Sequence, residues 1–127
     1  ISYLSAEHAG QPDKNGQFKI LSSLGILEPG TICTETYLVA FSSDNQNEIQ
    51  NVYNYFRSKF LRFLVSVIAI SQHITKSCFA FVPMQNFTAS SDIDWNKSID
   101  EIDSQLYAKY NLSDEEIVFI ESMIKPM

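Results

Sequence analysis

The stretch "IQNVYNYFRSKFLRFLVSVI", Ile49 to Ile68, decides the fold because its apolar residues recur every three or four positions. Just upstream, "SSDN" at Ser42 to Asn45 supplies good N-cap residues, and Glu48 suits the positive end of a helix dipole. The spacing predicts one long central helix. Its apolar residues share a single broad face: Ile49, Val52, Tyr53, Phe56, Phe60, Phe63, Leu64, Val67 and Ile68.

Three interpretations are open for the overlapping stretch Lys59 to Lys76: a membrane anchor, a core helix or a nucleic-acid-binding face. Its uninterrupted apolar runs, Phe63–Val65 and Val67–Ile70, are far shorter than the roughly 20 residues that a membrane-spanning helix needs. The run is therefore not a membrane anchor, and its apolar face is typical of a core helix. Arg62 points away from that face, which leaves the polar side open for a partner.

The segments around this helix favour extended structure. In "TICTETYLVAF", Thr31 to Phe41, β-branched and aromatic residues alternate between two sides, which predicts a central strand. The segment "SAEHAGQPDKNGQ", Ser5 to Gln17, is rich in Gly, Pro, Asp, Asn and Gln, which predicts a long exposed loop. Further strand-like segments are Ile1–Leu4, Phe18–Leu27 and Ser77–Met84, the last closed by Pro83.

Two short helices are predicted near the C-terminus, each opened by a capping box. Ser98 pairs with Glu101, and Ser113 pairs with Glu116. Asn111 between them suits a left-handed helix end. The predicted fold is a single α+β domain over residues 1–127, with a mixed or antiparallel sheet packed against one long central helix and a C-terminal helical hairpin.

The charge is acidic but uneven. The chain has 15 acids and 9 bases, for a net charge of −6, yet Asn51 to Gln85 contains no acid. Cys33 and Cys78 are expected to be buried free thiols, since no zinc-type spacing surrounds them. The sequence begins at Ile1 without a signal-peptide pattern, so we expect a cytoplasmic C-terminal fragment of a larger protein.

The residues predict no catalytic site and no metal site in this chain. Phosphate-binding glycine loops, HExxH and GxSxG do not occur. His8 and His73 have no nucleophile that the sequence places beside them. Pro12 and Asp13 are followed by no Asp/Glu-x-Lys tripeptide, as a metal-dependent nuclease would typically need, so they are interpreted as a turn.

Four segments carry a resemblance to a known family: "CTETYLVAF", "YFRSKFLRFLVS", "FAFVPMQNF" and "LYAKYNLSDEEIVFIESMIKPM". They resemble the extreme C-terminal region of bacterial restriction-modification proteins, the adenine-specific DNA methyltransferases and the fused type II enzymes related to them. The resemblance covers the chain from about Gly10 to Met127. The chain departs from the family pattern at Trp95-Asn96-Lys97, where the family usually has Trp-Thr/Ser-Asp. The resemblance therefore does not define the structure of this turn.

The resemblance implies a DNA target-recognition domain that positions duplex DNA for a catalytic domain lying upstream in the same chain. S-adenosylmethionine would be the cofactor of that upstream domain, and this segment would bind no cofactor. Because such an enzyme extracts its adenine from the duplex, a second surface must hold the flanking DNA. Whether the parent protein also cleaves DNA stays open.

Candidate contacts follow from this expectation. Phosphate contacts are expected at a basic flank on the central helix and just beyond it: Arg57, Lys59, Arg62 and Lys76. Base contacts are expected from polar residues of two loops: Gln11, Lys14, Asn15, Gln72 and His73. The alternative is a structural or protein-interaction module that touches no DNA. The acidic C-terminal helices favour it, as do Leu61 and Val65, which lie off the main apolar face.

Overall fold

The computed structural model describes residues 17–18, 20–21, 24–26, 43, 45–68 and 80–126. Within these ranges the chain forms four α-helices and no β-strand, and one isolated parallel bridge pairs Phe18 with Ile124. The helices are α1, Gln46–Arg57; α2, Lys59–Ile68; α3, Ile99–Lys109; and α4, Asp114–Met123.

The predicted α+β class, with a sheet packed against a long helix, is wrong for the part of the chain that the structure describes. The segments Ile1–Leu4 and Thr31–Phe41 lie outside it. Of the predicted strand Ser77–Met84, residues 80–84 form turn and irregular structure, with Phe81 and Met84 exposed. A short apolar run has too few residues for periodicity to separate a strand from other structure, and here the exposure does not alternate.

The predicted long helix is interrupted at Ser58, which has an extended backbone with φ −65° and ψ 148°. Its hydroxyl donates to the carbonyl of Tyr55 at 2.5 Å and accepts from the amide of Leu61 at 3.1 Å. The ends of a helix leave backbone groups without intrahelical partners, and one serine here serves both ends. The chain therefore makes two helices, α1 and α2, instead of one.

The break changes which residues of α2 face the core. Leu61 and Val65 are fully buried. A helical wheel that continues through Ser58 without interruption places both of them off the apolar face. Val67, expected in the core, is 51% exposed. Once a non-helical residue separates two helices, the buried faces of the two helices are oriented independently. A single helical wheel therefore cannot predict which residues of α2 are buried.

Helix α2 is the centre of the packing, since it contacts α1, α3 and α4. An aromatic group under α1 joins Tyr55, Phe87 and Trp95, with ring centroids between 5.3 and 5.8 Å apart. The indole N–H of Trp95 donates to the carbonyl of Asn86 at 3.0 Å, which satisfies its buried polar group. One continuous buried core therefore links the four helices.

The two C-terminal helices begin at the predicted capping residues. Ser98 accepts from the amide of Glu101 at 3.2 Å, and Ser113 and Glu116 form a complete capping box. Asn111 has the left-handed φ of 55°. Both helices pack against α2, so the C-terminal pair is organised by the core and not mainly by contact between its own members.

Candidate nucleic-acid interface

Arg62 lies at the junction of α1 and α2 and is fully buried. Its guanidinium donates to three backbone carbonyls: Ser58 at 3.2 Å, Arg57 at 3.0 Å and Lys125 at 2.7 Å. Two of these carbonyls belong to the end of α1 and the break, and the third follows α4. Arg62 therefore joins three parts of the chain instead of facing solvent.

Asp103 on α3 lies near enough to this arginine for their charges to interact. Its carboxylate accepts from the backbone amides of Lys59 at 3.1 Å and Phe60 at 2.9 Å, the first residues of α2. A negative charge at a helix N-terminus is favoured by the dipole as well as by these hydrogen bonds. Asp103 thus caps α2 from a different helix.

The protonation of this pair is set mainly by burial. Burial raises the pKa of Asp103 to about 6, and the two amide donors and Arg62 oppose the rise only in part. Burial also lowers the pKa of Arg62 to about 10, so the guanidinium still carries its charge at neutral pH. The junction therefore contains a charged arginine beside a carboxyl group that takes up a proton in mildly acidic solution.

Of the predicted phosphate contacts, the three that the structure describes do not form one exposed basic face. Arg62 is buried, so its expected exposure is wrong; its three carbonyl acceptors explain why. The ammonium of Lys59 forms an ion pair with Glu121 on α4. Arg57 is half-buried, with its guanidinium 5.7 Å from the centroid of the Tyr53 ring. Lys76 lies outside the described residues.

The predicted base contacts also lie outside the described residues, and they remain predictions. They are Gln11, Lys14, Asn15, Gln72 and His73. The same holds for His8, Cys33 and Cys78.

Sequence reasoning missed a polar stripe on the outer face of α1. Gln46, Gln50, Tyr53 and Arg57 fall within an arc of about 60° at 100° per residue, opposite the buried Val52 and Tyr55. Gln46 and Gln50 are exposed, and Tyr53 and Arg57 are half-buried. The intervals of four, three and four residues were a readable signal, but the apolar assignment of Tyr53 concealed it.

Other polar residues of α1 have structural partners. The side-chain amide of Asn51 donates to the carbonyl of Phe87 at 2.8 Å, and that of Asn54 donates to the carbonyl of Trp95 at 3.1 Å. These bonds attach α1 to the segment before α3. They fix the orientation of the helix and hence the direction in which the outer stripe faces.

An open pocket of about 220 Å³ lies between the N-termini of α2 and α3. Its basic groups are engaged, Lys59 with Glu121 and Arg62 with carbonyls, and Ser98 caps α3.

Over the described ranges no group of three or more His, Cys, Asp or Glu residues is placed to hold a metal ion. In the same ranges no helix is both long enough and apolar enough to cross a membrane.

Comparison with known proteins returned no relative. No protein-family model matches the sequence, and neither a curated protein nor a solved structure matches it.

Proposed function

We propose that this chain is a DNA-recognition domain of a restriction-modification adenine DNA methyltransferase, positioning duplex DNA for methyl transfer by an upstream catalytic domain. The observation that carries the proposal is the sequence resemblance, concentrated in "YFRSKFLRFLVS" and "LYAKYNLSDEEIVFIESMIKPM". In this proposal the upstream domain binds S-adenosylmethionine, and the residues of this chain hold and orient the DNA.

The packing supports treating these two segments as parts of one unit. Lys59 in the first pairs with Glu121 in the second, and Phe63 packs edge-on against Phe119 with ring centroids 5.8 Å apart. Arg62 adds its bond to the carbonyl of Lys125 at 2.7 Å. Segments that resemble a family and also contact one another are what a domain-level resemblance predicts.

The acids are distributed unevenly among the helices of this domain. Most of the acids lie between Asp92 and Glu121, and Asp114, Glu115 and Glu116 occupy the first turn of α4. Phosphate groups are repelled there. Helix α1 carries one acid, Glu48, which accepts from the hydroxyl of Ser43 at 2.6 Å. DNA would therefore approach from the side of α1 and away from α4.

A DNA selection experiment tests the proposal. The longer protein that contains this sequence is incubated with a random duplex library, and bound duplexes are sequenced; methylation of adenine in them is then measured. We expect a defined site, and we expect replacement of residues 7–17 and 71–76 by glycine-serine sequences of the same length to change or abolish it. Sequence-independent binding that is unaffected by this replacement would contradict the proposal.

A second candidate function is a protein-interaction module that does not touch DNA. Leu61 and Val65, which suggested it from the sequence, are fully buried and give it no support. Helix α4 does, because Val118 is 66% exposed and Phe119 is 56% exposed beside an acidic first turn. Light scattering of the chain and of the V118S/F119S double variant tests it. Association that the double variant abolishes, without a change in DNA selection, would favour this alternative.

A further inference from the structure

The outer face of α4 carries apolar side chains that the fold leaves exposed. Val118 is 66% exposed and Phe119 is 56% exposed. Glu115 lies one turn before them and Ser122 one turn after, so the four residues share an arc of about 100° at 100° per residue. Ile120, on the other side of the helix, is buried. Helix α4 therefore has one apolar face in the core and a second one outside it.

The exposed apolar surface continues from α4 onto α2. The ring of Phe119 packs edge-on against that of Phe63, with centroids 5.8 Å apart, and Phe63 is itself only half-buried. Val67 lies one turn farther along α2 and is 51% exposed. We call Phe63, Val67, Val118 and Phe119 the α2–α4 patch. Single exposed apolar residues are normal on a protein surface, whereas a group that spans two helices is typical of an interaction site.

Negative charge borders the α2–α4 patch. Helix α4 contains four acids and no base. Glu116 belongs to the capping box, and Glu121 pairs with Lys59. Asp114 and Glu115 are exposed, and within the described part of the chain their carboxylates form neither a hydrogen bond nor an ion pair. The helix dipole favours acids at these positions, but it leaves their charges without a counter-ion.

This charge decides between the possible occupants of the α2–α4 patch. Duplex DNA and anionic lipid surfaces would bring further negative charge against Asp114 and Glu115 and are repelled. A second copy of α4 would cover the apolar side chains, but it supplies no base to either carboxylate. An amphipathic helix with Lys or Arg beside its apolar face supplies both, since such helices bind apolar surfaces through residues spaced three or four apart.

We infer that the α2–α4 patch docks a basic amphipathic helix of another protein. Apolar side chains of the partner cover Val118 and Phe119, and its Lys or Arg side chains pair with Asp114 and Glu115. The inference does not depend on the proposed function, because none of the residues expected to contact DNA lies in the patch or in α4. It differs from the interaction-module alternative in naming the chemistry of the partner and in leaving DNA binding in place.

Selection from a random peptide display library tests the inference. Peptides retained by the wild-type protein are sequenced, and one retained peptide is synthesised with a fluorescent label. Its dissociation constant is measured by fluorescence anisotropy for the wild type and for each variant, at low and at high salt. Circular dichroism checks that each variant is folded. We expect the retained peptides to carry Lys or Arg beside apolar residues spaced three or four apart.

The apolar contribution is measured with the double variant V118S/F119S. This variant should weaken peptide binding at least about tenfold, which corresponds to the loss of one strongly contributing interface residue. The matched control is F81S/M84S, which removes two apolar side chains that are 58% and 82% exposed elsewhere on the protein. The control should leave the dissociation constant unchanged.

The charge contribution is measured with E115Q, which keeps the shape of the side chain. It should weaken binding about two- to fivefold at low salt, and the difference should shrink as salt screens the ion pair. The matched control is D100N, which removes an exposed acid from the first turn of α3 and should not change the affinity. Because Glu115 is exposed, E115Q remains informative even where V118S/F119S is unstable.

Four outcomes would overturn the inference. They are a library that yields no enriched peptide, enriched peptides without Lys or Arg, a peptide that V118S/F119S binds as tightly as the wild type does, and an affinity that E115Q and D100N reduce equally. Self-association of the wild type that V118S/F119S abolishes, with no enriched peptide, would assign the patch to a second copy, which is a case of the first outcome. The DNA selection experiment is independent of these results, so failure of either proposal leaves the other standing.

Discussion

Replacing Asp103 by asparagine should remove a pH-dependent part of the stability of this protein. The folded state raises the pKa of this carboxyl group to about 6 from an ordinary value of 3.8, because the group is buried. The folded protein therefore holds the proton more tightly than the unfolded chain does. Stability from this group is fully present below the unfolded pKa and is lost as the pH rises through the folded value.

The size of the effect follows from these two values. The interval from 3.8 to about 6 corresponds to about 3 kcal/mol at 1.36 kcal/mol for each pH unit. Between pH 4 and pH 7, where both states are partly titrated, about 2 kcal/mol of it is expressed. Asp92 and Glu116 act in the opposite direction, since hydrogen bonds lower their pKa values and their stabilisation is lost as the pH falls. The Asp103 contribution must therefore be isolated by difference.

Urea denaturation of the wild type and of D103N, at pH values from 4 to 7, gives that difference. Asparagine, like the protonated carboxyl group, keeps one acceptor for the amides of Lys59 and Phe60 and directs hydrogen toward the other, and it does not titrate. The test is the change with pH. The free energy of unfolding of the wild type, measured relative to that of D103N, should fall by about 2 kcal/mol from pH 4 to pH 7. The control D100N removes an exposed carboxylate from the same helix, so a change with pH that D103N shows and D100N does not is specific to Asp103.

Parallel stability curves for the wild type and D103N would refute the reasoning. Such a result would mean that the two backbone amides and Arg62 compensate burial fully. A carbon-13 titration of the Asp103 carboxyl group supplies a second measurement that does not require a stable variant. A midpoint below pH 4 would lead to the same conclusion, and a midpoint near pH 6 would support the present assignment.

Three further substitutions test the contacts at the helix junction. R62A should lower the free energy of unfolding by about 3 kcal/mol, because it removes a fully buried side chain and three backbone carbonyls lose a donor; weaker DNA binding at unchanged stability would refute the buried role. S58A should cost about 1 kcal/mol in urea denaturation, because the amide of Leu61 loses its cap. Y55F should cost about 1 kcal/mol in the same assay, because its hydroxyl donates to the carbonyl of Pro83 at 2.9 Å. An unchanged denaturation midpoint would contradict either of the last two.

Local interactions explain why some elements could be predicted from the sequence. The caps of α1, α3 and α4, at Asn45, Ser98 and Ser113, bond to amides within three residues, so a short stretch contains both partners. The interruption at Ser58 is different. Serine occurs within helices, and the amides of Lys59 and Phe60 are satisfied by Asp103, more than forty positions away. No local pattern contains that carboxylate.

The error at Arg62 has the same origin. A charged residue opposite an apolar stripe is ordinarily solvent-exposed, and that rule placed Arg62 among the phosphate contacts. Its burial depends on carbonyls of Arg57 and Ser58, exposed to it by the break, and on Lys125 after α4. The strand at residues 80–84 was predicted wrongly for a related reason. A short apolar run does not show whether distant parts of the chain will bury it or pair with it.

These corrections change what the resemblance can mean for DNA recognition. Two of the three basic residues within "YFRSKFLRFLVS" hold helices together: Arg62 bonds to backbone, and Lys59 pairs with Glu121. Retaining them preserves a fold and does not by itself preserve a DNA sequence preference. The outer residues Gln46 and Gln50 have no part in the core, so they can change without cost to that fold. Under the proposed function, such a domain would be able to acquire a new target sequence while its framework stays the same.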